Sequence, residues 1–95
     1  MSRRDIKLTL SAEAALESLS KNEQIKILRI FELLRYPVSE RPVHLNVYRS
    51  KVDSKKYIVR ANSLRIVYYK TSTSKLIIDD IYKRDSVSGL LKKSK

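Results

Sequence analysis

The sequence predicts an α+β domain: two N-terminal helices packed on one face of a small, mainly antiparallel β-sheet, in the order β-α-α-β-β-β. Three observations carry that prediction. Residues 56–69 alternate apolar and polar side chains on both sides of Asn62-Ser63, as two strands joined by a tight turn do. Ile27, Ile30, Phe31 and Leu34 recur at helical spacing, widened by Leu28 and Leu33 and stopped by Pro37, which pushes the residue before it out of the α region. Ile6, Leu8 and Leu10 alternate with Lys7 and Thr9, marking a first strand.

The remaining elements fall between these. Ser11 is placed to cap a short Ala-rich helix ending at about Leu19, with Leu16 and Leu19 turned inward. Ser20-Lys21-Asn22-Glu23 has capping-box spacing, in which hydroxyl and carboxylate satisfy backbone N–H groups at a helix start. The two helices are expected to lie antiparallel on the sheet. Residues 37–46, with two prolines, form a loop, and Val47-Tyr48 begin a further short strand. A polar loop at 50–55, the hairpin, a turn at 71–74 and a strand at 75–82 complete the sheet. Residues 86–95 read as a polar tail with one helical turn around Val87, Leu90 and Leu91. One domain spans 1–95, without repeats.

A two-residue turn sets Ala61 opposite Leu64 and Arg60 opposite Arg65. Tyr57, Val59, Ala61, Leu64, Ile66 and Tyr68 then share an apolar face fit for the core. Lys56, Ile58, Arg60, Arg65, Val67 and Tyr69 share the other. Like charges directly opposite one another destabilise a sheet. A face that keeps them is suited to an anion, and a phosphate fits a guanidinium best.

Charge supports that reading. The chain holds 21 Lys+Arg against 10 Asp+Glu, a net of +11. Residues 1–42 carry 8 basic and 6 acidic side chains, and residues 43–95 carry 13 and 4, so the excess sits with the sheet. This points to a polyanionic partner. There is no cysteine, which removes disulfides, thiolate metal sites and a Cys nucleophile and suits the cytoplasm. No apolar run is long enough for a membrane span, no signal-peptide core follows the basic N-terminus, and no basic amphipathic helix suggests membrane binding. His44 is the only histidine and lies in the proline-flanked loop. Asp79 and Asp80 are adjacent in a strand and so expected on opposite faces, paired with Lys or Arg instead of a metal.

The element order, the hairpin Tyr57-Ile58-Val59-Arg60…Leu64-Arg65-Ile66-Val67-Tyr68 and the closing Ile81-Tyr82-Lys83-Arg84-Asp85 together resemble the RelE/ParE superfamily of bacterial and archaeal toxins. The resemblance runs from Ile6 to about Leu91 and implies one of two activities. RelE-like members cut messenger RNA on the ribosome; ParE-like members inhibit DNA gyrase by binding. Both kinds are held inactive by a cognate antitoxin. For a RelE-like chain, the resemblance places Arg65 and Arg84 on the scissile phosphate, Arg60 on the preceding strand, and Lys55 or Lys56 near the flanking basic loop. Lys83 completes the terminal basic pair. One departure stands out: the Tyr or His that usually follows that pair is missing from Ser86-Val87-Ser88-Gly89-Leu90-Leu91. A gyrase-binding toxin, or an inactive module of the same fold that binds RNA or antitoxin, therefore stays open beside the nuclease.

RNA cleavage of this kind needs a 2′-OH held in line with its phosphate, a proton acceptor, a counter-charge and a donor to the leaving oxygen. Arg65 and Arg84 suit the charge, with Arg60 beside them. Lys55 or Lys56 would donate the proton, or a lysine of depressed pKa among so many cations would accept it. Tyr69 shares the arginine face and would stack on a base or relay a proton. Tyr48, Tyr57, Tyr68 and Tyr82 are expected to pack along the sheet. No metal or organic cofactor is required.

Overall fold

A computed structural model describes residues 3–84. Its elements are β1 (Asp5–Leu8), α1 (Leu10–Glu17), α2 (Lys21–Leu34), β2 (Asn46–Arg49), β3 (Lys56–Ala61), β4 (Leu64–Ser72) and β5 (Lys75–Lys83). The strands form one sheet in the order β1-β5-β4-β3-β2. β1 runs parallel to β5, and every other pairing is antiparallel. The expected α+β architecture is present, with β2 a full member of the sheet, so four strands follow the helices. The expected helical turn around Val87, Leu90 and Leu91 lies outside the described residues.

The helices cover one face. Ile27, Ile30, Phe31 and Leu34 of α2 and Ala12 of α1 close on Val59, Leu64, Ile66, Tyr68, Leu76, Ile78 and Ile81 of the sheet. The predicted stripe of α2 is thus its buried face, whereas Leu28 remains exposed and Leu16, Leu19 and Leu33 are only partly buried. Burial of such side chains, at about 1.5–3 kcal/mol each, is what holds two short helices to a small sheet.

The capping box of α2 forms as expected: Glu23 N–H donates to Ser20 Oγ (3.2 Å), and Ser20 N–H donates to Glu23 Oε1 (3.0 Å). That backbone donation, more than the nearby Lys83, holds the Glu23 carboxyl below its ordinary pKa. A depressed carboxyl stabilises the fold above its unfolded pKa, near 4.3, and the contribution is lost as pH falls through the depressed value. Glu23→Gln should therefore flatten the acid side of a stability–pH curve below pH ~4. Ser20→Ala should cost about 1 kcal/mol in urea titrations at neutral pH.

Helix α1 starts earlier than expected. Thr9, not Ser11, is the cap: its hydroxyl accepts from Ala12 N–H (3.0 Å) and donates to the Asp79 carbonyl (2.8 Å). The second bond crosses to β5 and ends β1 at Leu8 instead of Leu10, which is left exposed. The helix also stops at Glu17, short of Leu19. At the far end of α2, the buried Arg4 guanidinium donates from Nη2 to the carbonyls of Leu34 (2.8 Å) and Tyr36 (3.0 Å). Arg41 Nε donates to the Leu33 carbonyl (3.1 Å). Two cations thus serve carbonyls at and just beyond the C-terminal end of α2, where cations are favoured. No sequence periodicity marks either arginine.

The β3–β4 hairpin has the predicted register, with Ala61 opposite Leu64 and Arg60 opposite Arg65. Asn62 takes a φ of 56°, the left-handed region that asparagine tolerates better than most residues. The next turn is tighter than expected: β4 runs on to Ser72, which pairs with Lys75. Among the described residues, no helix is long and apolar enough to cross a membrane.

Candidate nucleic-acid interface

On the sheet face away from the helices, the register stacks side chains in three rungs. The first, beside the hairpin turn, runs Asn46, Arg60, Arg65, Tyr82 across β2, β3, β4 and β5. The second runs Tyr48, Ile58, Val67, Asp80 over the same strands. The third runs Lys56, Tyr69, Ile77 and ends on Lys7 of β1. Rungs two residues apart stand roughly 7 Å apart along the strands, so the first and third are separated by about 13 Å.

The two opposed arginines lessen their repulsion by turning apart. Arg65 bends toward the turn, where Nη1 donates to the carbonyls of Asn62 (2.6 Å) and Leu64 (2.9 Å). It is only 4% exposed, so the expectation of an open guanidinium is corrected: most of this side chain is spent on holding the turn. Arg60 bends the other way, over the ring of Tyr48 at 5.4 Å, and stays exposed. Arg84 is exposed at the end of β5, with its N–H donated to the Ser63 carbonyl (2.6 Å), which brings it to the same turn. Tyr82 completes this end. Burial first, then the neighbouring Tyr48 hydroxyl, raise the Tyr82 pKa against the pull of Arg65, so the phenol remains a neutral donor.

The other candidates lie elsewhere. Lys56 Nζ forms an ion pair with Asp79 Oδ2 at 2.8 Å, and Asp53 lies at 4.0 Å. Asp79 raises the Lys56 pKa, so this lysine is not the depressed base that the cation density suggested. Lys55 and Tyr69 line a shallow cleft around that pair, at the third rung and away from the arginines. Lys83 faces the helices, opposite Leu64, and pairs with Glu23 at 3.3 Å. It does not join the arginine face. His44 is exposed and lines a cavity of about 410 Å³ with Arg41, Tyr57 and Tyr68, on the helix side of the sheet.

Asp79 and Asp80 depart from strict alternation. Val67 pairs with Asp80 and Tyr68 with Ile78, which leaves Asp79 as the extra residue of a β-bulge. Both carboxylates consequently sit on the arginine face, and among the described residues only Asp79 is ion-paired; Asp80 Oδ1 accepts from Ile81 N–H (2.8 Å). Tyr48 and Tyr82 also belong to this face, while Tyr57 and Tyr68 stack on the helix side at 5.6 Å. The arginine end of the sheet is therefore richer than the sequence indicated. It offers two exposed guanidiniums, two phenols and one carboxylate free of a cation among the described residues. The stretch Ser86-Val87-Ser88-Gly89-Leu90-Leu91 lies outside the described residues.

No protein-family model matches the sequence, and no curated protein sequence matches it significantly. Solved structures do match. The chain is similar to the RelB–RelE antitoxin–toxin complex from Methanococcus jannaschii, with a TM-score of 0.69 and 14% identity over 88% of this chain and 96% of that one. It is similar to the archaeal RelE–RelB complex from Pyrococcus horikoshii, with a TM-score of 0.65 and 22% identity over 88% and 97%. YafQ from E. coli gives a TM-score of 0.68 and 12% identity over 90% and 98%. The likeness spans both helices, the five-stranded sheet and the hairpin that carries Arg60 and Arg65, and the chain has the fold of the RelE-type toxins.

Proposed function

We propose that this chain is the toxin of a toxin–antitoxin pair and acts in the cytoplasm as a metal-independent endonuclease on messenger RNA at the ribosome. The observation that carries the reading is the arginine end of the open sheet face: Arg60 exposed over Tyr48, with Arg65, Tyr82 and Arg84 gathered at the same turn. Two of the similar solved structures are toxin–antitoxin complexes, which supports an antitoxin as partner.

In this reading Arg60 and Arg84 take the phosphate oxygens, while Arg65 fixes the turn beneath them and adds its field. The 2′-oxygen attacks its own phosphorus and gives its proton to the Asp80 carboxylate. The bond to the 5′-oxygen breaks, and that oxygen takes a proton from the Tyr82 phenol. The products are a 2′,3′-cyclic phosphate and a 5′-hydroxyl. Lys56 and Lys55 lie too far along the strands to serve this phosphate and meet the flanking backbone instead.

Primer extension on a reporter transcript after brief induction tests this, run beside the same transcript with its start codon removed. Breaks confined to the translated message are expected. Growth arrest with intact message overturns the nuclease reading in favour of gyrase inhibition, which the missing Tyr or His at 86–91 favours. Neither arrest nor breaks leaves an inactive module that binds RNA or antitoxin.

A further inference from the structure

We infer that Tyr48 and Arg60 form a subsite for one unstacked nucleobase of single-stranded RNA, next to the phosphate site; the inference rests on the RNA-binding part of the function proposed above.

Tyr48 lies on β2 at the edge of the sheet, where its neighbours along the rung are Ile58 and Val67. A phenol ring above an apolar strand surface would bury itself there if packing were its only role. Instead 37% of Tyr48 is exposed, and the group that covers it is a guanidinium. Arg60 at 5.4 Å leaves the rest of the ring open to solvent. A planar cation over a half-open aromatic ring is what a nucleobase is attracted to: every base offers a π-face to the ring, and the guanidinium plane stacks as well.

The surroundings select the ligand. Asn46 stands opposite Arg60 at the sheet edge and supplies an amide able to both donate to and accept from a base edge. Arg60 spans the two sites: it stands on the first rung with Arg65 and Tyr82, and Tyr48 lies one rung along, roughly 7 Å away, the scale of one nucleotide. A duplex would present its bases stacked and paired, with no face available to Tyr48, so the subsite takes single-stranded RNA or a loop. β2 is an edge strand with no strand paired on its outer side among the described residues, which leaves that side for a base to enter.

The test is fluorescence of a short single-stranded RNA carrying 2-aminopurine, made cleavage-resistant by 2′-O-methyl groups and titrated with the purified chain. Wild type is expected to quench the probe on stacking. Tyr48→Phe should quench equally, because the ring is kept. Tyr48→Leu should lose most of the quenching and weaken binding roughly 5- to 100-fold, the value of one base–aromatic stack. Matching circular dichroism and melting temperatures exclude misfolding of the Leu variant. If Tyr48→Leu quenches as wild type does, or if wild type binds the RNA without quenching, the subsite is overturned. If wild type does not bind the RNA at all, both the subsite and its premise fail. Intact message in primer extension together with Tyr48-dependent quenching would retire the nuclease and leave the subsite standing.

Discussion

Arg65→Ala should destabilise the domain by about 3 kcal/mol, because it strips two carbonyls of a charged donor at a nearly closed site. For a domain of this size that lowers the melting temperature by roughly 12–20 °C. Arg65→Lys should recover part of the loss, since the one nitrogen Nη1 serves both carbonyls and an ammonium can stand in for it only from a shorter side chain. Thermal melts of the three proteins decide it. An Arg65→Ala protein that melts within ~3 °C of wild type would mean that the guanidinium does not staple the Asn62-Ser63 turn. The alternation of the strand alone suggested the opposite, a harmless surface change. This matters for any test of the function proposed above: loss of activity in Arg65→Ala would report folding as much as chemistry.

Arg60→Ala should separate the two. The side chain is exposed, and its contact with Tyr48 is worth about 0.5–1 kcal/mol. Removing one of two opposed arginines returns a similar amount by relieving repulsion, roughly 0.2–1 kcal/mol. The melting temperature should therefore stay within a few degrees of wild type. On the proposed nuclease function, cleavage of translated message should nevertheless fall by about 10²–10³-fold, the cost of removing one group aimed at developing negative charge. Quantified primer extension with the folded variant measures this directly. Wild-type cleavage by Arg60→Ala would take the phosphate contact away from the first rung.

What could be read in advance, and what could not, divides along the range of the interactions involved. The hairpin register was legible because a two-residue turn and period-2 alternation leave one pairing that buries Val59 with Ile66. Helix α2 was legible because its stripe, its capping box and Pro37 all agree. Thr9 and Ser11 were equally good caps locally; the bond from Thr9 to Asp79, seventy residues on, decided between them. The bulge at Asp79 has no glycine to announce it, and it put on one face two carboxylates expected on opposite faces. Alternation gives the face a residue points to but not how a long side chain bends, so Arg60 and Arg65 looked equivalent and are not. Lys83 was within reach of the same reasoning: Tyr82 opposite Arg65 already assigns its neighbour to the helix side.

The parallel pairing of β1 with β5 carries a consequence for how the protein is made. Asp5 finds its strand partner at Lys75, and β5 also supplies Leu76, Ile78 and Ile81 to the core. Synthesis proceeds from the N-terminus, and contacts between such distant segments form late. A nascent chain whose fifth strand is still inside the ribosome has no neighbour for its first strand and none for the outer side of β4. A message cut or stalled before that point yields a fragment with an unfinished sheet. Such a fragment has Arg60 and Arg65 in its sequence but no Tyr82 or Arg84 to complete the turn. On the function proposed above, activity would then arrive only when β5 does, giving the producing cell an interval in which the product is still inert.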